Sequence, residues 1–206
     1  MQARGGWYDR GLAAPGESRD VQGRGAEIAD ASWGSVGRQG VLLIHGRNAH
    51  RRWWQFVARF MADNFRVAAV DLSGHGDSAW RSQYSKPLFA DQARRVMAAA
   101  GLGSKPFVVA QSFGGFVGLD VHQRYGADIG SIIVAHFTAA PASRYTEWGL
   151  RKAAAGAAAR RTRTYEDGDA ALARFRLIPE QPCAHPGIVR YLAEHALRQV
   201  DPGFTE

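Results

Sequence analysis

Pro106-Phe-Val-Val-Ala-Gln-Ser-Phe-Gly-Gly-Phe116 decides the reading of this chain. An apolar run, Phe107 to Ala110, leads into Ser112 and then into two glycines that open a helical pattern. A strand passing abruptly into a helix holds the serine hydroxyl clear of the sheet, in a backbone geometry that costs energy and is kept for chemistry. Strand and helix pass close together at such a turn, so small residues are required two before and two after the serine. Ala110, Gly114 and Gly115 meet that requirement. The plainer alternative is a turn serine that serves only its own backbone.

Outward from this stretch, short apolar runs alternate with helical patterns. Gly40-Val-Leu-Leu-Ile-His-Gly46 and Arg66-Val-Ala-Ala-Val-Asp71 are continuous runs ended by polar or turn residues, the mark of strands buried on both faces. Ile129-Gly-Ser-Ile-Ile-Val-Ala135 is another such run. Helices are predicted over 51–64, where Trp53, Trp54, Val57, Phe60 and Met61 fall at helical spacing, over 88–100 and over 113–125. Residues 21–33 alternate and read as one or two edge strands. Strands and helices in this order predict an α/β fold, a mostly parallel sheet covered by helices on both faces. After Pro141 the pattern is helical only, over 144–159, 167–177 and 187–200. The organisation read from the sequence is thus a loose arm at 1–20, a sheet core at 21–140 and a helical cap at 141–206. The cap is expected over the carboxyl ends of the strands, where open α/β sheets bind ligands.

Composition sets bounds on function. The chain has 206 residues, 46% of them hydrophobic, enough for one substantial core. Its net charge of +7 comes mostly from arginines spread along the sequence, with no interleaved aromatic residues, which argues against a nucleic-acid partner. No apolar stretch reaches the ~18 residues of a membrane span, and the first residues lack a signal-peptide core. Cys183 is the single cysteine, so an internal disulfide is excluded and a cytoplasmic location is expected. No cofactor motif and no metal-ligand spacing is present. The sequence carries no signal of oligomeric state.

Three motifs in order, His45-Gly46-Arg47-Asn48, Asp71-Leu-Ser-Gly-His-Gly-Asp-Ser78 and Ala110-Gln-Ser-Phe-Gly-Gly115, resemble those of the α/β-hydrolase family from Val41 onward. Phe175-Arg-Leu-Ile-Pro-Glu-Gln-Pro182 also looks like part of the helical cap of one of its subgroups. The resemblance implies acyl transfer to water, with Ser112 as nucleophile. It places the oxyanion donors at the backbone N–H groups of Phe113 and Arg47, and gives His45, Gly46 and Gln111 supporting places. His45 and His75 are read as structural, and so are Asp71 and Asp77. His136, at the end of a strand next to the Ser112 strand, stands where some relatives carry an acid, a role histidine cannot take.

The order of a triad in this fold is serine, acid, histidine. The strands that would carry the acid and the histidine after Ser112 are not found, so both are expected to be missing from this chain, which reads as the front part of an enzyme. The expected substrate is a small, mostly apolar ester or related carbonyl compound, with Trp53, Trp54 and Phe113 lining part of its pocket. A halide-oxidising or perhydrolase relative would share these motifs, whereas epoxide and haloalkane hydrolases place an aspartate where Ser112 stands. The alternative reading is a non-catalytic binding module, or pseudoenzyme, of the same fold.

Overall fold

A computed structural model describes residues 6–14, 16–138, 143, 164–177, 180–199 and 203–205. Contacts divide the chain into two compact units, 1–137 and 138–206.

The first unit is built on a six-stranded sheet. Its strands are β1 (Glu17–Gln22), β2 (Glu27–Trp33), β3 (Gly40–Ile44), β4 (Arg66–Val70), β5 (Phe107–Gln111) and β6 (Ser131–Ala135), in the spatial order β1-β2-β4-β3-β5-β6. The β1–β2 and β2–β4 pairs are antiparallel, and the remaining three are parallel. β3 and β4 are buried along their whole length, which explains why their sequences run apolar rather than alternating. Side chains still alternate between faces. Leu42, Ile44, Ala68, Val70, Val108 and Ala110 pack with helices α3 (Lys86–Ala99) and α4 (Phe113–Tyr125), while Val41, Leu43, Val67 and Ala69 pack on the side of α2 (Gln55–Met61). Ser85 caps α3, its hydroxyl accepting from the Leu88 N–H, and Pro87 sits in the first turn where no N–H is missed. At the far side β6 is an edge strand, with Ile133 58% and Val134 42% exposed.

Four sequence expectations are corrected here. Residues 21–33 do not form only edge strands: β1 is the edge, but β2 lies inside, with six of its seven residues buried. Residues 6–14 are not a loose arm. They hold helix α1 (Gly6–Ala13), which packs on α2 through Tyr8 stacked on Phe56 at 5.2 Å and Trp7 edge-on to the same ring at 6.2 Å. The Gln55 side chain donates to the Gly11 and Ala14 carbonyls at 2.7 and 3.2 Å, and the Trp33 indole N–H donates to the latter at 3.1 Å. This docking came from aromatics spaced too irregularly to show a period. The helix expected over 51–64 is a 3-10 turn, Arg51–Trp54, followed by the shorter α2. Gln55, Phe56 and Ala58 are its buried residues, and Val57 and Phe60 are exposed. Trp54 packs into the core beside Val67 and Ala69, on the α2 side of the sheet.

In the second unit the expected helix over 144–159 lies outside the described residues. Helices α5 (Gly168–Arg174) and α6 (Pro186–Ala196) are present, capped by the side chains of Asp167 and His185. Contrary to an all-helical reading, the unit also holds a small antiparallel sheet, β7 (Thr164–Tyr165), β9 (Phe204–Thr205) and β8 (Arg198–Gln199), in that order. Two-residue strands leave no pattern to read.

Asp30 of β2 is fully buried opposite Arg19, whose Nε lies 4.0 Å away. Neither carboxylate oxygen accepts a hydrogen bond among the described residues. Burial pushes its carboxyl up to about 6, against the pull of Arg19. A group that binds its proton more tightly in the fold than in the unfolded chain contributes least above pH 6, and its contribution improves as pH falls toward 4. Asp30→Asn is therefore expected to raise stability at pH 7.5 by roughly 1–3 kcal/mol, the gain shrinking toward pH 4. Urea unfolding of both proteins at the two pH values checks this; equal stability at both would show that the carboxylate carries no burial penalty.

Candidate active site

Ser112 is the single residue between the end of β5 and the start of α4, with φ 50° and ψ −114°. A left-handed φ in a residue other than glycine stores about 1–3 kcal/mol and persists only when neighbours hold it. The holders are visible: the Ser112 N–H donates to the Ala135 carbonyl of β6 at 3.0 Å, and its own carbonyl accepts from the Gly115 N–H at 2.9 Å. The hydroxyl-bearing residue is half-buried. Phe113 begins the helix, so its N–H has no carbonyl one turn earlier to bond.

The small residues around Ser112 do more than separate strand from helix. A methyl on Gly114 would lie 2.6 Å from the His45 carbonyl oxygen and 2.8 Å from that of Ile44, so this glycine lets α4 rest on the end of β3. Ala110 instead meets Gly118 one turn further along, and Gly115 faces the Phe137 ring. On the other side of the turn, Gly46 leaves room for the Gln111 side-chain oxygen, and a methyl there would come within 3.4 Å of the Ser112 Cβ. The structure thus brings Gly46, Gln111 and Ser112 together.

His45 is fully buried and both ring nitrogens are engaged. Its Nε2 accepts from the Leu72 N–H at 3.1 Å, so Nδ1 carries the proton and donates to the Gly46 carbonyl at 2.7 Å. Burial lowers its pKa to about 4, with the nearby His75 adding to the effect, so the ring is neutral at pH 7. His45 therefore ties the loop after β3 to the loop after β4. Asp71 organises the second of these loops: it accepts from the Arg51 N–H at 2.5 Å and the Asp77 N–H at 2.9 Å, and pairs with the buried Arg51 guanidinium. Arg51 also reaches Asp77 at 2.7 Å. Gly76 turns with φ +50° directly over the Asp71 carboxylate.

Arg47 lies in the loop after β3 and is exposed, its guanidinium 5.5 Å from the centre of the Phe113 ring. The same ring stacks on His75 at 6.3 Å and meets Phe89 edge-on at 5.6 Å. His136 is exposed at the end of β6, with φ +51°. Sequence reading missed Arg51, whose signal was an arginine beginning an otherwise aromatic helix, and Gln92, which donates to the Ser73 hydroxyl at 2.8 Å and accepts from the Ser73 N–H at 3.1 Å.

A sequence profile of the alpha/beta hydrolase family matches residues 41–204. The chain belongs to that family. Among curated relatives, human monoacylglycerol lipase ABHD6 is 29% identical over 146 residues, covering 69% of this chain and 40% of the relative. The esterase Rv0045c of Mycobacterium tuberculosis is 28% identical over 122 residues, covering 58% and 40%. The chain thus spans about 40% of the length of these relatives. Among solved structures, the thioesterase domain from the curacin biosynthetic pathway superposes with a TM-score of 0.70 at 24% identity, over 93% of this chain and 71% of that one. E-2-(acetamidomethylene)succinate hydrolase superposes with a TM-score of 0.71 at 22% identity, over 92% and 68%. These superpositions report the fold. Among the described residues no helix is long and apolar enough to cross a membrane.

If α4 depends on resting against β3, Gly114→Ala should cost about 3 kcal/mol, because the neighbours that must yield are backbone carbonyls. Gly168→Ala, which meets nothing within 4 Å, is the control. Chemical denaturation measures both, and equal effects would show that the approach is not tight.

Proposed function

We propose that this chain carries the nucleophilic half of a serine hydrolase that cleaves a small, mostly apolar ester or related carbonyl compound. The observation that carries the reading is the strained backbone of Ser112 between β5 and the N-terminus of α4. Strain of about 1–3 kcal/mol at a half-buried serine, imposed where β5 meets the start of α4, fits a hydroxyl held out for attack.

In this mechanism the Ser112 Oγ adds to the carbonyl carbon and loses its proton to a base. The carbonyl oxygen becomes an oxyanion, which the backbone N–H groups of Phe113 and Arg47 stabilise. Collapse expels the alcohol and leaves an acyl group on Ser112, which water releases by the same steps. His45 takes no proton: it is buried, neutral and bonded at both nitrogens, and its part is to hold the Gly46–Arg47 loop. Asp71 is held by Arg51 and by the turn it organises. The histidine base and its carboxylate are not assigned to residues of this chain. The names of the curated relatives, a monoacylglycerol lipase and an esterase, support an ester as the substrate class.

p-Nitrophenyl butyrate with added imidazole tests the reading, because the leaving group departs without a proton and imidazole takes the serine's proton in place of the unassigned base. Intact-mass and peptide analysis should find butyryl on Ser112, and Ser112→Ala should lose the adduct and the turnover above the imidazole background. An adduct elsewhere, or turnover unchanged in Ser112→Ala, would remove Ser112 from the mechanism.

A further inference from the structure

We propose that Arg47 selects substrates carrying a carboxylate close to the scissile carbonyl. This rests on the Ser112 reading and adds to it a substrate class. Several arginines of the first unit are paired with carboxylates. Arg51 pairs with Asp71 and Asp77, Arg52 with Asp77, Arg95 with Asp91 and Arg124 with Asp120. Arg47 differs. Among the described residues its guanidinium makes no ion pair and no hydrogen bond; it lies 5.5 Å from the centre of the Phe113 ring and close enough to His75 to disfavour that ring's cationic form.

That contact fixes where the charge stands. Phe113 directly follows Ser112, and Arg47 directly follows Gly46, whose backbone approaches the Ser112 Cβ. Phe113 is itself steadied by His75 and Phe89, so the ring is a firm platform for the guanidinium. An exposed cation thus stands over the residue next to the nucleophile, and among the described residues no partner takes its N–H donors. The carboxylates of the neighbouring loop cannot take that place, since Asp71 and Asp77 are held by Arg51. A lone guanidinium binds a carboxylate through two parallel N–H···O bonds and balances its single charge.

The test separates binding from catalysis. Monohexyl succinate and its neutral isostere hexyl succinamate are titrated calorimetrically into the Ser112→Ala protein, which cannot turn them over. The carboxylate ligand is expected to bind at least about ten-fold tighter, and raising the salt should shrink the ratio. Adding Arg47→Gln should bring the ratio to within about two-fold, and Arg47→Lys should restore it only in part, because an ammonium lacks the fork. Equal affinities of the two ligands, or a ratio that survives Arg47→Gln, overturn the proposal. Failure of butyryl transfer to Ser112 in the wild-type chain would instead strike the hydrolase reading, and a ratio abolished by Arg47→Gln would still support a carboxylate site.

Discussion

The contact between Gly114 and the carbonyls of Ile44 and His45 is the constraint on which the first unit turns. A helix can begin directly after a central strand only if its first turn lies against the neighbouring strand's end, and any side chain at that point would wedge the two apart. Once α4 is seated, the residue joining it to β5 has no room for an ordinary conformation. Ser112 takes φ 50° because the strand arrives and the helix departs along directions fixed by packing. The strain is thus paid for by the buried faces of β3, β5 and α4, with the hydrogen bond from Ser112 to Ala135 binding in β6 as well.

A second layer of order surrounds this seat and is electrostatic. His45 and Asp71 end adjacent strands and each closes a loop by bonding backbone N–H groups. Both are buried, so each must have its partners arranged before folding is complete. The neutral ring of His45 needs no counter-charge, and Arg51 balances Asp71. The loops after β3 and β4 are consequently held by polar bonds rather than by apolar packing, at the edge of the sheet where a substrate would need a polar wall.

Much of this was legible in the sequence, and the reasons are physical. β3 and β4 announce themselves because a strand covered on both faces must be apolar throughout, and α4 begins at the residue where its pattern starts. The Ser112 turn was legible because steric crowding demands small residues at fixed places. What escaped was information held in partners rather than in patterns. The docking of α1 depends on Phe56 and Trp33 presenting a surface and an N–H to it, and nothing within residues 6–14 records that. β2 looked like an edge because its mix of Asp30, Ser32 and alanines reads as exposed, although the sheet buries it. The short strands β7, β8 and β9 exist only through one another. Arg47 could be named from its motif, but its resting place over Phe113 could not, since a long side chain's conformation is settled by what surrounds it.

Three parallel neighbours, β3, β5 and β6, are each followed within a few residues by a non-glycine residue of positive φ: Asn48, Ser112 and His136. Asparagine bears this cheaply, whereas serine and histidine bear it at a cost. Conformational tension is therefore gathered along one rim of the sheet like the pull on a drawn bow, and the apolar interior is the limb that resists it. Loosening that interior, even by a single lost methyl far from the rim, would let the string slacken first where Ser112 stands, while most of the sheet kept its shape.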